Sequence, residues 1–155
     1  MPLPDERRRV LIMVDYVFGK GVSRALPKEG LRLVYSRRSG RVKLVYFGDR
    51  LFATVKPNGA FALTVYGATV LARLPAFRKN CVVVADEVSE FVRGGKSVFC
   101  KFVKSAGKNV LPKGEVVVTD SKWKVLGVGL AVMNGKFMRQ FNSGAAVKVR
   151  DGLRE

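Results

Sequence analysis

Residues 91–103, FVRGGKSVFCKFV, join an amphipathic segment to a β-branched strand through two adjacent glycines flanked by cations. Glu87, Val88, Phe91 and Val92 precede the turn Arg93-Gly94-Gly95-Lys96, and Ser97 to Val103 follow it at once as a predicted strand. Glycine allows positive φ and the close approach of another backbone, both of which a Cβ would block. Arg93 and Lys96 place positive charge beside that open backbone, as a phosphate contact requires. A helix C-cap turn ending in solvated charges would use the same residues, so the remainder of the chain decides between the two readings.

That remainder is dense in short strands. Asp5 and Glu6 can open a helix, since acidic residues suit a helix N-terminus. Val10, Leu11, Met13, Val14, Val17 and Phe18 extend it to Phe18, and Gly19-Lys20-Gly21 ends it before a loop to Gly30. Predicted strands cover 31–35, 42–47, 51–55 and 61–63, separated by the basic turn Ser36–Arg41, Gly48-Asp49-Arg50 and Lys56-Pro57-Asn58-Gly59. Thr64 is a candidate N-cap for a helix that stops before Pro75.

The stretch Pro75–Asn80 is a short, partly apolar boundary, which divides the chain into residues 1–78 and 79–155 as two touching domains. Beyond it, Val82-Val83-Val84 leads to Asp86, a candidate N-cap for a helix to Val92. Strands are predicted at 97–103, 115–119, 124–132 and 145–150. Asn134 caps a short helix holding Phe137, Met138 and Phe141, closed by Gly144. The expected fold class is α+β: a small antiparallel sheet with helices, then a compact β-barrel.

The formal net charge of +17, shared by both halves, points to a polyanionic partner. The cations fall mostly in strands and turns, whereas a membrane-surface helix needs a long basic amphipathic run. RNA or DNA is therefore favoured over a membrane. No run approaches the length of a membrane span and no leader pattern is visible at the start, so an intracellular, cytoplasmic protein is expected. Histidine is absent, which removes imidazole chemistry. Cys81 and Cys100 match no paired metal or redox spacing and read as small buried thiols, with a disulfide between them left open. Asp15, Asp49, Asp86 and Asp120 form no acid–base pattern, and no cofactor motif is found.

Residues 81–150 resemble a PUA domain, the pseudo-barrel of RNA-modifying enzymes. The resemblance lies in 84–87 (VADE), 91–99 (FVRGGKSVF), 111–116 (LPKGEV), 126–129 (LGVG) and 144–150 (GAAVKVR). The first half is similar to the domain preceding PUA in archaeal tRNA-guanine transglycosylases, which start archaeosine synthesis. There the resemblance is carried by 15–21 (DYVFGKG) and 36–42 (SRRSGRV). It departs at Val17, where glutamine is expected, and at Ser39, where threonine is usual. The family's catalytic barrel, with its aspartates and zinc site, has no counterpart in these residues.

The resemblance implies an RNA groove made by Arg93, Gly94, Gly95, Lys96 and Ser97, with Lys148 and Arg150 on the last strand. Lys101 would share a strand face with Ser97 and Phe99. Phe99 is either a stacking platform for an unpaired base or a core aromatic. Arg37, Arg38 and Arg41 would present phosphate forks from their turn, or stand as a solvated hairpin. Arg7-Arg8-Arg9 reads as a solvated helix start, Tyr16 and Phe18 as core, and Trp123 and Gly127 as packing. The implied function is non-catalytic binding of structured RNA, tRNA near its acceptor stem and 3′ end, for a modification enzyme whose catalytic subunit is a separate chain. Rivals are a ribosomal-RNA or ribosome-assembly factor and a regulatory module of a metabolic enzyme.

Overall fold

The computed structural model describes residues 4–153. Helix α1 (Pro4–Phe18) buries Val10, Val14 and Phe18, spaced four apart on one face. That face lies on an antiparallel meander of β1 (Leu31–Tyr35), β2 (Val42–Phe47), β3 (Arg50–Val55) and β4 (Phe61–Leu63), in that order. Phe18 meets Phe61 edge-on and Phe77 tilted, with ring centroids 6.1 and 5.5 Å apart. Asp15 fixes the exit of α1: its carboxylate accepts from Ser23 N at 2.8 Å. Thr64 caps α2 (Val65–Leu71) as expected, its hydroxyl accepting from Gly67 N at 3.0 Å.

The second half holds β5 (Cys81–Val84), α3 (Ser89–Arg93), β6 (Val98–Phe99), β7 (Val103–Ala106), β8 (Glu115–Thr119), β9 (Val125–Ala131), α4 (Gly135–Met138) and β10 (Ala145–Gly152). Its strands follow the order β6-β10-β9-β8-β5-β7, with β5 and β8 parallel and the other pairs antiparallel. This mixed sheet curls into a nearly closed pseudo-barrel filled by Val82, Val84, Val116, Val118 and Leu126. Gly129 lets β9 meet β10 at close range, because a Cβ there would run into the carbonyl of Lys148.

The two sheets share a core. Cys81, Val117, Val125 and Val128 of the second half belong to the apolar cluster built around Phe18 and Phe77. Asn80, 3% exposed, donates to the carbonyls of Phe18 and Phe77 at 2.7 and 3.2 Å. Burying that amide is tolerable because both bonds are made.

Three local expectations are corrected. The strand expected over 97–103 breaks at Cys100 into a 3-10 turn (Cys100–Phe102), because Cys100 N bonds Gly144 O and Phe102 O accepts from Ala85 N, each at 2.9 Å. Asp86 does not cap a helix with its side chain. Its carboxylate instead accepts from Ser121 N and Ser121 Oγ at 3.0 and 2.8 Å, and these bonds hold its pKa below the ordinary value of 3.8. Tyr16 is not core: it is 90% exposed, whereas Phe18 is buried as expected.

Candidate nucleic-acid interface

The double-glycine turn closes α3 as a Schellman motif. Lys96 N bonds Phe91 O and Gly95 N bonds Val92 O, both at 2.9 Å. This places Gly95 at φ +90°, the left-handed position, while Gly94 at −78° has no such need. The turn rests on the last strand: a Cβ on Gly152 would strike the carbonyls of Arg93 and Val92. Lys96 and Ser97 are thereby held, exposed, at the start of β6.

Beside the turn lies a cleft of about 360 Å³ lined by Val88, Phe91, Lys96, Ser97, Phe99 and Phe102, among others. Phe91 and Phe99 are 63% and 51% exposed, so Phe99 is a surface aromatic and not a core one. Phe91 was legible only as the apolar side of a short helix, yet it stands open to solvent at the cleft. Exposed aromatic rings beside a cation offer flat stacking surfaces next to a phosphate partner.

The expected groove residues divide. Lys101 does not share a strand face with Ser97 and Phe99, because it stands on the 3-10 turn. It stays exposed, its ammonium 5.0 Å from the ring centre of Phe102, which lines the cleft. Arg93 is half-buried, and its guanidinium meets Glu90 at 3.2 Å. Lys148 is exposed on β10 but does not line the cleft. Arg150 lies elsewhere: it makes bonds of 2.9 and 2.6 Å to Glu115 and one of 2.7 Å to Leu63 O, at the seam between the sheets.

A larger cleft of about 710 Å³ opens on the first sheet, where Arg38 and Arg41 are joined by Arg9, Lys43 and Lys56. Arg37 is exposed on the same turn and does not line it. Arg9, read from sequence as a solvated helix start, and Lys43 and Lys56, each alone in a strand or at its end, carried no local signal. Only the fold brings them together.

Both cysteines are buried and free. Burial pushes the Cys81 thiol up to about 12, and that of Cys100 upward as well. Among the described residues no cluster of acidic and cysteine side chains could hold a metal, and no helix is long and apolar enough to cross a membrane.

Each half of the chain matches a known family. Residues 80–153 match the PUA domain, and residues 8–76 match the patch-forming domain C2 of tRNA-guanine transglycosylase. A tRNA-guanine(15) transglycosylase of Methanothermobacter thermautotrophicus is 34% identical over 154 residues, 96% of this chain and 23% of that protein. One from Pyrococcus abyssi is 35% identical over 147 residues, 94% of this chain and 25% of that protein. The chain thus spans about a quarter of the length of these relatives. In fold it is similar to a hypothetical protein from Pyrococcus horikoshii (TM-score 0.74, 22% identity, covering 100% of this chain and 95% of that one). It is also similar to a conserved PUA domain protein from Thermoplasma acidophilum (TM-score 0.69, 18% identity, 99% and 93%). The chain is therefore a C2 patch-forming domain followed by a PUA domain, homologous to the C-terminal region of archaeal tRNA-guanine(15) transglycosylases.

Proposed function

We propose that this protein is a non-catalytic RNA-binding module that grips tRNA near its acceptor stem and 3′ end. It would present the RNA to a tRNA-modifying enzyme whose catalytic subunit is another chain. The observation that carries the reading is the cleft beside the Gly94-Gly95 turn, where exposed Phe91 and Phe99 flank Lys96 and Ser97. Aromatic faces accept unpaired bases regardless of sequence, and each stacked base is worth about 1–3 kcal/mol. Lys96 supplies the phosphate partner, and Lys101 adds charge at the Phe102 side of the cleft. The 3′ end of tRNA is single-stranded and fits such a site better than a duplex does, since stacking needs splayed bases.

The relatives are tRNA-guanine(15) transglycosylases, and the net charge of +17 fits a polyanionic ligand. The chain matches only about a quarter of the length of those relatives, which supports a binding role rather than the whole of their activity. A regulatory module of a metabolic enzyme would leave the charge excess without a role.

The test is equilibrium binding of a tRNA transcript to the Phe99→Ala and Lys96→Ala variants. Phe99→Ala is expected to weaken binding by roughly 5- to 150-fold, the equivalent of one lost stack of about 1–3 kcal/mol. Lys96→Ala is expected to lower the salt dependence by about one phosphate contact. Wild-type affinity in both variants would place the RNA elsewhere.

A further inference from the structure

We infer that the 710 Å³ cleft of the first domain is a second RNA site, built to take a stretch of ribose-phosphate backbone apart from the PUA cleft. The inference rests on the RNA-binding reading above and adds to it Arg9, Lys43 and Lys56, which no motif marks.

The cleft is assembled from three parts of the chain: α1 with Arg9, the β1–β2 turn and start of β2 with Arg38, Arg41 and Lys43, and the β3–β4 turn with Lys56. Among the described residues five cations line it and no carboxylate does. Gathering that much like charge without an acidic partner is unfavourable in the free protein, and an anion relieves it. Net repulsion of this kind is retained where a ligand supplies the counter-charge.

The turn bearing the arginines is preformed. Ser36 N bonds Arg41 O at 2.8 Å, Gly40 N bonds Ser36 O at 2.9 Å, and Gly40 takes φ +71°. The Ser36 hydroxyl accepts from Arg38 N at 3.2 Å, and the Ser39 hydroxyl accepts from Arg41 N at 3.2 Å. Among the described residues neither hydroxyl donates in return, so both keep a proton for a phosphate oxygen. A loop already fixed in its binding shape gives up less conformational freedom on binding.

The shape selects the ligand further. Met13, Val42, Val55 and Pro57 give the cleft an apolar component between the cations. A free phosphate ion would engage two or three cations and leave that surface wet. A ribose-phosphate segment covers both, with sugar or base edge on the apolar side chains and diester oxygens on the rim. The two clefts share no lining residue, so they can be filled together.

The test compares wild type with the triple variant Arg9→Ala, Lys43→Ala, Lys56→Ala, and with the charge-keeping Arg9→Lys, Lys43→Arg, Lys56→Arg. Each is titrated with a full-length tRNA transcript, and with the same transcript lacking its 3′ end, over a range of salt. The alanine triple is expected to lower the slope of log affinity against log salt by about 2, from three lost phosphate contacts. The charge-keeping triple keeps the slope, which excludes a merely structural effect. The ratio of affinities for intact and trimmed tRNA stays as in wild type, because that ratio reports on the PUA cleft. An unchanged slope in the alanine triple overturns this inference while leaving the PUA reading standing. So does retention of tRNA affinity by a triple variant that has lost binding to a polyglutamate peptide, which would assign the cleft to an acidic protein segment. A wild-type ratio near one, together with a lowered slope in the alanine triple, would leave this site intact and remove the PUA reading.

Discussion

The guanidinium of Arg150 on β10 meets the carboxylate of Glu115 on β8 through two bonds, of 2.9 and 2.6 Å. The same two side chains grasp one residue of the other domain. Glu115 accepts from Leu63 N at 2.6 Å and Arg150 donates to Leu63 O at 2.7 Å. Together they satisfy both backbone groups of Leu63, as a neighbouring strand would do for β4. The pair therefore ties the first sheet to the pseudo-barrel and orients the two clefts. The Glu115 side chain is only 6% exposed, so Arg150 and Leu63 N stand in for the water its oxygens would otherwise meet.

Removing that carboxylate strands both partners. Glu115→Ala is expected to lower stability by about 1.5–3 kcal/mol, the range for hydrogen bonds to a charged group. Arg150→Lys should also destabilise, since an ammonium cannot reproduce the planar fork. Denaturant melts of the two variants check this. Wild-type midpoints in both would mean the seam is held by the shared apolar core alone.

Gly95 needs its left-handed φ, and its site has open space for a Cβ, so only the backbone resists a side chain. Gly95→Ala is expected to cost about 1–2 kcal/mol, the penalty of a left-handed conformation for an L-residue. Gly94→Ala, at an ordinary φ, should cost less. Thermal melts of the two variants give the comparison, and equal losses would refute the assignment of the C′ position.

The thiols should be silent in the folded protein. Cys81 titrates only near 12, and both side chains are buried, so neither thiolate is available near neutral pH. An Ellman titration is expected to find no reactive thiol in buffer and both in denaturant. Rapid reaction of one cysteine without denaturant would contradict the packing.

Asp86 gives a pH signature. Its bonds to Ser121 lower the folded pKa below 3.8, so the unfolded chain takes up the proton first as pH falls. Its contribution is complete above the unfolded value and is lost as pH drops through the folded one. Asp86→Asn should therefore narrow its stability deficit against wild type below about pH 4, the ordinary carboxylate range. A deficit that stays constant through that range would show that charge at Asp86 is immaterial.

Much of this architecture was legible in short-range pattern. Thr64 and Asn134 both cap helices, with bonds of 3.0 Å each to Gly67 N and Lys136 N, although α4 ends at Met138 and leaves out Phe141, which was expected inside it. What escaped was decided by distant partners. Nothing near Cys100 announces a break in the strand, because the bond that bends it comes from Gly144, far along the chain. Asp86 resembles a helix cap, but its acceptor capacity is taken by Ser121. Arg150 looks like a groove cation until Glu115 and Leu63 are placed beside it. Lys96 and Phe99, singled out by the glycine turn and the strand after it, both line the smaller cleft. Arg9, Lys43 and Lys56 could not be singled out, since their significance is a juxtaposition of three separate segments.

The most direct measurement is the affinity of the wild-type protein for intact tRNA and for tRNA with its 3′ end trimmed, at two salt concentrations. Recognition of the acceptor end requires that trimming weaken binding at both salts, with the discrimination surviving where the electrostatic part has fallen. Equal affinity for the two forms and for unrelated RNA, lost together at moderate salt, would contradict it and leave only a basic surface.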